Sequence, residues 1–327
     1  MMRYLEKIVV WLLVVAGLAA CQNARNRKPA TSEASVPTFN ADSAYTFVQT
    51  QVDFGPRVPA TDAHAACADY LTKVLARFGA QVQVQQGEMP IYSGEKKPLK
   101  NIIGRFNPEA NRRILLCSHW DSRPFADHDP NPANHRKPIA GANDGASGVG
   151  VLLEVARHLS ANSPAVGVDI VFFDLEDWGA PEFYTGAERA DAWCLGSQFW
   201  AAEAKRSGYS AECGILLDMV GAAGAQFYRE QFSAYFAGSV QDEVWHTAQS
   251  LGFGHSFVDA RGGAITDDHY YVNTVAGVPC IDIIQYNPYG TTGFADYWHT
   301  MADDMRHIDR RTLYMVGQTL LQVIYRK

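Results

Sequence analysis

Residues 169–177 read Asp169-Ile170-Val171-Phe172-Phe173-Asp174-Leu175-Glu176-Asp177, an apolar run that stops abruptly at a group of carboxylates. An amphipathic helix spaces its apolar residues three and four apart, and a strand open to water on one face alternates. An unbroken apolar run of this length instead suits a central strand covered on both faces. The same reading fits Arg113-Ile114-Leu115-Leu116-Cys117-Ser118, Gly214-Ile215-Leu216-Leu217-Asp218 and the run from Val278 to Ile284. Two further extended runs, Gln81 to Gln85 and Asn101 to Phe106, lie upstream.

Helical spacing separates these runs. From Ala60 to Phe78 the apolar positions Ala66, Tyr70, Leu71, Val74 and Leu75 share a face, and Gly79 follows. Val149, Leu152, Leu153, Ala156 and Leu159 repeat at three and four, and Ser197 to Arg206 reads as another short helix. Strands alternating with helices predict an α/β fold, a mostly parallel or mixed sheet with helices on both faces. In such sheets ligands bind beyond the carboxyl ends of the strands. No internal repeat interrupts Phe39 to Lys327, which reads as a single domain, residues 39–327.

The chain of 327 residues is 47% hydrophobic and 19% charged, with a formal net charge of -7. It carries no Lys/Arg run, so no nucleic-acid footprint is expected. Arg3 and Lys7 flank an apolar run from Ile8 to Ala20 that is too short to span a bilayer comfortably. It reads as a secretory signal peptide over residues 1–20. The tetrapeptide Leu18-Ala19-Ala20-Cys21 resembles the lipobox of bacterial lipoproteins. That resemblance implies a lipidated Cys21, a membrane anchor and a place in the bacterial cell envelope, facing the periplasm or on the outer membrane. Residues 21–38 are polar, with almost no large apolar residue, and predict a flexible tether.

Beyond Cys21 stand five cysteines: Cys67, Cys117, Cys194, Cys213 and Cys280. Their number is odd and no C-x-x-C pair occurs, so neither a disulfide scaffold nor a thiolate zinc site is indicated. Cys117 and Cys280 sit in apolar runs and are expected to be buried. A single bridge between Cys194 and Cys213 is left open.

Four clusters carry candidate chemistry: His119-Trp120-Asp121 after one strand, Gly141-Ala142-Asn143-Asp144-Gly145-Ala146-Ser147-Gly148 opening a helix, Asp174-Leu175-Glu176-Asp177-Trp178-Gly179 after another strand, and Trp298-His299-Thr300. Asp218 ends a further strand. Each alone has an ordinary explanation: a satisfied histidine, an Asp cap at a helix start, a solvated acidic loop. Together, carboxylates and imidazoles gathered at one sheet edge repel unless a cation or shared protons compensate. Zinc takes both ligand types.

The ordered set His-x-Asp, Gly-x-x-Asp-Gly-x-Ser-Gly, an acidic pair, Leu-Asp, Asp-His and His-Thr resembles the M28 family of zinc aminopeptidases. It is more similar still to the glutaminyl cyclases that share that fold, over about Phe39 to the end. Phe54-Gly55-Pro56-Arg57-Val58-Pro59 and Leu99-Lys100-Asn101-Ile102-Ile103 fit the family's approach to the first strand. The resemblance implies a three-layer α/β/α sandwich of the zinc aminopeptidase-like, phosphorylase/hydrolase-like kind. It implies one zinc ion held by Asp144, Asp177 and His299, with Glu176 as general acid/base. It further implies that the enzyme acts on peptides or proteins with N-terminal glutamine, closing that residue to pyroglutamate with loss of ammonia. His119 and Asp121 are expected behind the ligands. Asp177 departs from the family, which usually has Glu there, and Trp178 is also unusual.

The rival is a two-zinc aminopeptidase, for which His119, Asp144, Asp177, Asp218 and His299 would all serve. A metal-free binding lipoprotein is a third possibility that the complete ligand set disfavours. The discriminating segment is Ile265-Thr266-Asp267-Asp268-His269. Aminopeptidases of the family typically have Ser where Asp267 stands. In the cyclases the equivalent of Asp267 faces that of Asp218, and two close carboxylates can share one proton. A pocket wall of Trp193, Ile265, Phe294 and Trp298 is expected to suit a folded-back glutamine.

Overall fold

The computed structural model describes residues 36–327; the expected signal peptide, Cys21 and most of the expected tether lie outside the described residues. The described part opens by docking onto the C-terminal helix. The Phe39 N–H donates to Gln318 Oε1 (2.9 Å), and Gln318 Nε2 donates to the Pro37 carbonyl (3.2 Å).

In sequence order the elements are α1 (Ala41–Asp53), α2 (Asp62–Arg77), β1 (Gln81–Pro90), β2 (Lys96–Phe106), β3 (Arg113–His119), α3 (Ala146–Ala161), β4 (Gly167–Phe173) and α4 (Leu195–Ser207). Then follow β5 (Cys213–Asp218), β6 (Phe227–Arg229), α5 (Gln231–Ser250), β7 (Phe257–Arg261), the short α6 (Asp268–Tyr271), β8 (Cys280–Ile284) and α7 (Arg310–Tyr325). Helix starts obey capping chemistry: Asn40 and Thr61 precede α1 and α2, and their side chains accept the Ser43 and His64 N–H groups.

Six strands form one mixed sheet in the order β1-β2-β4-β3-β5-β8. β4, β3, β5 and β8 run parallel, while β2 pairs antiparallel with both β1 and β4. Successive residues of each central strand point to opposite faces, and both faces are filled. Ile114, Leu116, Ile170, Phe172, Ile215 and Leu217 pack with α1, α2, α3, α5 and α7. Leu115, Cys117, Val171, Phe173 and Leu216 pack with α4 and Val272. This double coverage is why the runs lack polar alternation, and it makes the fold a three-layer α/β/α sandwich.

Three long helices, α1, α5 and α7, were not anticipated, and β1 and β2 extend well beyond their apolar runs. The bridge left open between Cys194 and Cys213 is not formed: among the described residues all five cysteines are buried free thiols.

Candidate active site

The parallel strands deliver side chains to one edge. His119 is the last residue of β3 and Asp218 the last of β5, and Asp174 to Asp177 follow β4 directly. The 141–145 loop precedes α3, Asp267 caps α6, and His299 comes from the segment between β8 and α7. Leu175 and His299 take positive φ (54° and 53°), turning the backbone sharply where these side chains enter the site.

Asp144 lies between two imidazoles, its Oδ1 3.1 Å from His119 Nε2 and its Oδ2 3.6 Å from His299 Nε2. Asp177 Oδ1 is 3.1 Å from His299 Nε2, and Asp218 Oδ1 is 3.1 Å from His119 Nε2. Two donor sets therefore share Asp144: Asp144–Asp177–His299 and His119–Asp144–Asp218, each with ligand atoms within 4.8 Å of one another.

The first set fits the expected zinc. Both Asp177 oxygens are buried and lack a hydrogen-bond partner, a costly state for a carboxylate unless a cation completes it. Two carboxylates and one imidazole are a zinc donor set that leaves a coordination position open. Burial alone would raise the Asp177 carboxyl, but His299 and Arg123 bring it down to about 2. Burial lowers His299 to about 4, so the imidazole is neutral near pH 7. Both groups thus hold their ligating forms. The shorter Asp177 side chain still reaches the set, answering the question posed by its departure from Glu.

Glu176 is held beside this set. The Asp121 carboxylate accepts the backbone N–H of Glu176 (3.2 Å) and of Asp177 (3.3 Å), which fixes the acidic loop. The Cys194 thiol donates to Glu176 Oε1 at 3.2 Å. Burial, then Asp177, Asp267 and Asp268, push the Glu176 carboxyl well above the usual range despite His119. Burial and then Asp218 raise Asp267 to about 6.

A cavity of about 630 Å³ joins Asp144, Glu176, Asp177, Asp218, Asp267 and His299 with Trp193, Ile265, Phe294 and Trp298. His119 and Asp121 are buried and do not line it. The Trp298 ring stacks on His299 with centroids 3.6 Å apart, and Phe294 packs on Trp298 at 4.8 Å. Trp193 lies parallel to His299 at 6.2 Å. Its ring rests on Gly179, where a Cβ would come within 1.7 Å of ring carbon. Trp178 points elsewhere, packing with Ile91, Leu99 and Leu195.

Several buried supports went unread in the sequence. Asp303 accepts the backbone N–H of Asn143 (2.8 Å) and Asp144 (3.1 Å). Arg123 pairs with Asp127 at 2.6 Å, and Asp127 Oδ1 lies 3.8 Å from His299 Nδ1. Behind Asp267, His269 Nδ1 lies 3.8 Å from Asp282 Oδ2, and its Nε2 3.0 Å from Glu230 Oε2. Asp282 had a signal: it is the lone charge inside the apolar run from Val278 to Ile284.

The pattern of peptidase family M28 matches residues 101–324. The crystal structure of a glutaminyl cyclase from Tannerella forsythia is 56% identical, with TM-score 0.87, covering 89% of this chain and 100% of that one. That of a Zn-dependent exopeptidase from Parabacteroides distasonis is 55% identical, with TM-score 0.88, covering 90% and 100%. Glutaminyl-peptide cyclotransferase of Bos taurus is 25% identical over 252 residues, 68% of this chain; the match spans 65% of the bovine protein's length.

Proposed function

The chain belongs to peptidase family M28, and from that premise we propose that it converts the N-terminal glutamine of peptides and proteins to pyroglutamate, releasing ammonia, with one zinc ion. The observation that carries this reading is geometric: the buried Asp267 lines the same cavity as Asp218, the carboxylate a second metal would need beside His119 and Asp144. Asp218 engaged with Asp267 is a poorer ligand for a second metal, leaving Asp144, Asp177 and His299 as the working set. The likeness to the Tannerella forsythia glutaminyl cyclase supports it.

Zinc bound by Asp144, Asp177 and His299 supplies a Lewis acid for the γ-carbonyl of the glutamine. Glu176, its backbone fixed by Asp121 and its carboxyl gripped by Cys194, accepts a proton from the α-amine as that nitrogen attacks the γ-carbon. It returns the proton to the departing ammonia as the bond between the γ-carbon and the amide nitrogen breaks. Asp218 and Asp267, which line the cavity together with Glu176, hold the substrate amine or the tetrahedral intermediate. No water is consumed, so the walls of Trp193, Ile265, Phe294 and Trp298 favour the reaction by keeping the glutamine folded and dry.

The aminopeptidase alternative has one observation in its favour, the second donor set His119–Asp144–Asp218. Ammonia release from a glutamine-initiated dipeptide, run beside cleavage of a leucine-initiated one, separates the two. Cyclisation without leucine-peptide hydrolysis is expected; hydrolysis without cyclisation overturns the reading. We further propose that Cys21 carries a lipid anchoring the enzyme in the bacterial envelope, which the order Arg3, Lys7, apolar run, Leu18-Ala19-Ala20-Cys21 supports. Cys21→Ser is then expected to leave the membrane fraction, and unchanged membrane recovery refutes the anchor.

A further inference from the structure

Outside the zinc set, one thiol stands at the reacting carboxyl. Cys194 is the buried residue that precedes α4, with φ 55°. Its backbone N–H donates to the Glu176 carbonyl at 2.9 Å, and its Sγ to Glu176 Oε1 at 3.2 Å. The two residues are therefore fixed to each other by main chain and side chain. Asp267 completes a set: one ligand atom each from Glu176, Cys194 and Asp267 lie within 4.8 Å of one another. Glu176 and Asp267 line the cavity, so an ion can reach them from it, and the thiol meets them from behind. No spacing in the sequence announces the three, which come from the loop after β4, the start of α4 and the cap of α6.

Two features fit this set to a cation. Asp267 is only 4% exposed, and while its Oδ1 accepts the Asp268 N–H, its Oδ2 has no hydrogen-bond partner. A buried carboxylate oxygen in that state is costly until a cation or a proton completes it. The spacing also suits a metal. Zinc–sulfur and zinc–oxygen bonds of about 2.3 and 2.1 Å at a tetrahedral angle put the two ligand atoms about 3.6 Å apart. Cys194 Sγ and Glu176 Oε1, at 3.2 Å, are close to that separation. A thiolate among the ligands selects zinc and still softer ions such as cadmium over magnesium and calcium. The thiol must give up its proton to bind, and burial, then Glu176, Asp268 and Asp267, make that costly. The set is therefore weaker than Asp144–Asp177–His299 and fills only when the soft ion is in excess.

We propose that Glu176, Cys194 and Asp267 form an inhibitory site for a soft divalent metal ion, distinct from the zinc set and from His119–Asp144–Asp218. An ion there occupies the carboxyl that carries the proton and stands where the substrate amine must lie, so turnover stops. The inhibition rests on the cyclisation reading; the binding does not.

The test titrates cadmium into enzyme already loaded with zinc and follows metal bound per molecule, thiolate-to-metal absorption in the ultraviolet, and ammonia release from Gln-Gly amide. One added cadmium with the zinc retained, a new ultraviolet absorption and loss of turnover are expected. Magnesium at the same concentration should produce none of these. Cys194→Ser leaves the other buried thiols in place and is expected to lose the absorption. It should also need at least about 10-fold more cadmium to halve its own activity, since even an outer partner of a metal ligand is worth that much. Should Cys194→Ser not fold, Cys194→Ala removes the same ligand and is expected to behave alike. Absorption unchanged in the Cys194 variant, cadmium that replaces the zinc instead of adding to it, or equal inhibition by magnesium overturns the site. Inhibition unmoved in the Cys194 variant but lost in His119→Ala places the ion at His119–Asp144–Asp218 and overturns it too. Ammonia absent before any cadmium is added overturns the cyclisation reading, and bound cadmium with its absorption still decides the site.

Discussion

Replacing Glu176 by glutamine exchanges one carboxyl oxygen for an amino group and leaves the shape of the site intact. The main-chain bonds from Glu176 and Asp177 to Asp121 persist, because they use backbone N–H groups. Asp144, Asp177 and His299 are untouched, so zinc content should match the wild type. What disappears is the ability to take and return a proton. Proton transfer by a positioned side chain contributes about 10²- to 10⁴-fold, which is about 2.7 to 5.4 kcal/mol of activation free energy. Stability should move the other way. Burial and the carboxylates of Asp177, Asp267 and Asp268 all disfavour a charged Glu176, so a neutral amide relieves the fold. The expected outcome for Glu176→Gln is therefore kcat down by at least about 10²-fold, zinc per protein molecule unchanged, and a melting temperature equal to or above the wild type's. Turnover by ammonia release from Gln-Gly amide, metal analysis and thermal unfolding measure the three quantities. Near-full turnover in Glu176→Gln refutes the proton-shuttle reasoning, and turnover lost together with zinc means that Glu176 serves the metal.

His299→Ala is expected to lose zinc and activity while keeping its circular-dichroism spectrum; wild-type protein should carry close to one zinc per molecule, and two would favour the aminopeptidase. Asp303→Ala leaves the N–H groups of Asn143 and Asp144 without their buried acceptor, at about 1 to 3 kcal/mol each. Urea unfolding should show a loss of about 2 to 6 kcal/mol, with weaker zinc retention, and an unchanged midpoint would refute the anchoring role. Burial alone would raise Glu154, but Arg157 and His158 bring it from 4.5 to about 2. A depressed carboxyl stabilises fully above its unfolded value, so this contribution, up to about 3 kcal/mol, is lost as pH falls from 4.5 through 2. Glu154→Gln should flatten that part of the acid-unfolding curve, and an unchanged curve counts against it.

The central strands were legible because burial on two faces leaves no room for polar alternation, and the candidate site was legible because its polar residues sit where those runs stop. The supports were not. Arg123, Asp127 and Asp303 look in sequence like ordinary charges in loops, and only the folded path shows them buried against Asp177, His299 and the 141–145 loop. Helix α5 is harder to read because its buried face runs through Ser233, Ala237 and Gln241 beside Val240, Val244 and Trp245, so small and polar residues blur the apolar stripe. Helix α7 does carry a legible stripe, Leu313, Val316, Leu320 and Ile324 at helical spacing. Trp193, whose place near a strand end leaves core packing equally open in the sequence, lines the cavity with its ring resting on Gly179.

The five unbridged thiols bear on where this protein can mature. Each is buried, and none of the contacts that hold the described fold together is a covalent cross-link. No native disulfide among residues 36–327 has to form on the path to this fold. In an oxidising space the five thiols must be buried before they cross-link wrongly, and it is the closing of the core around them that protects them.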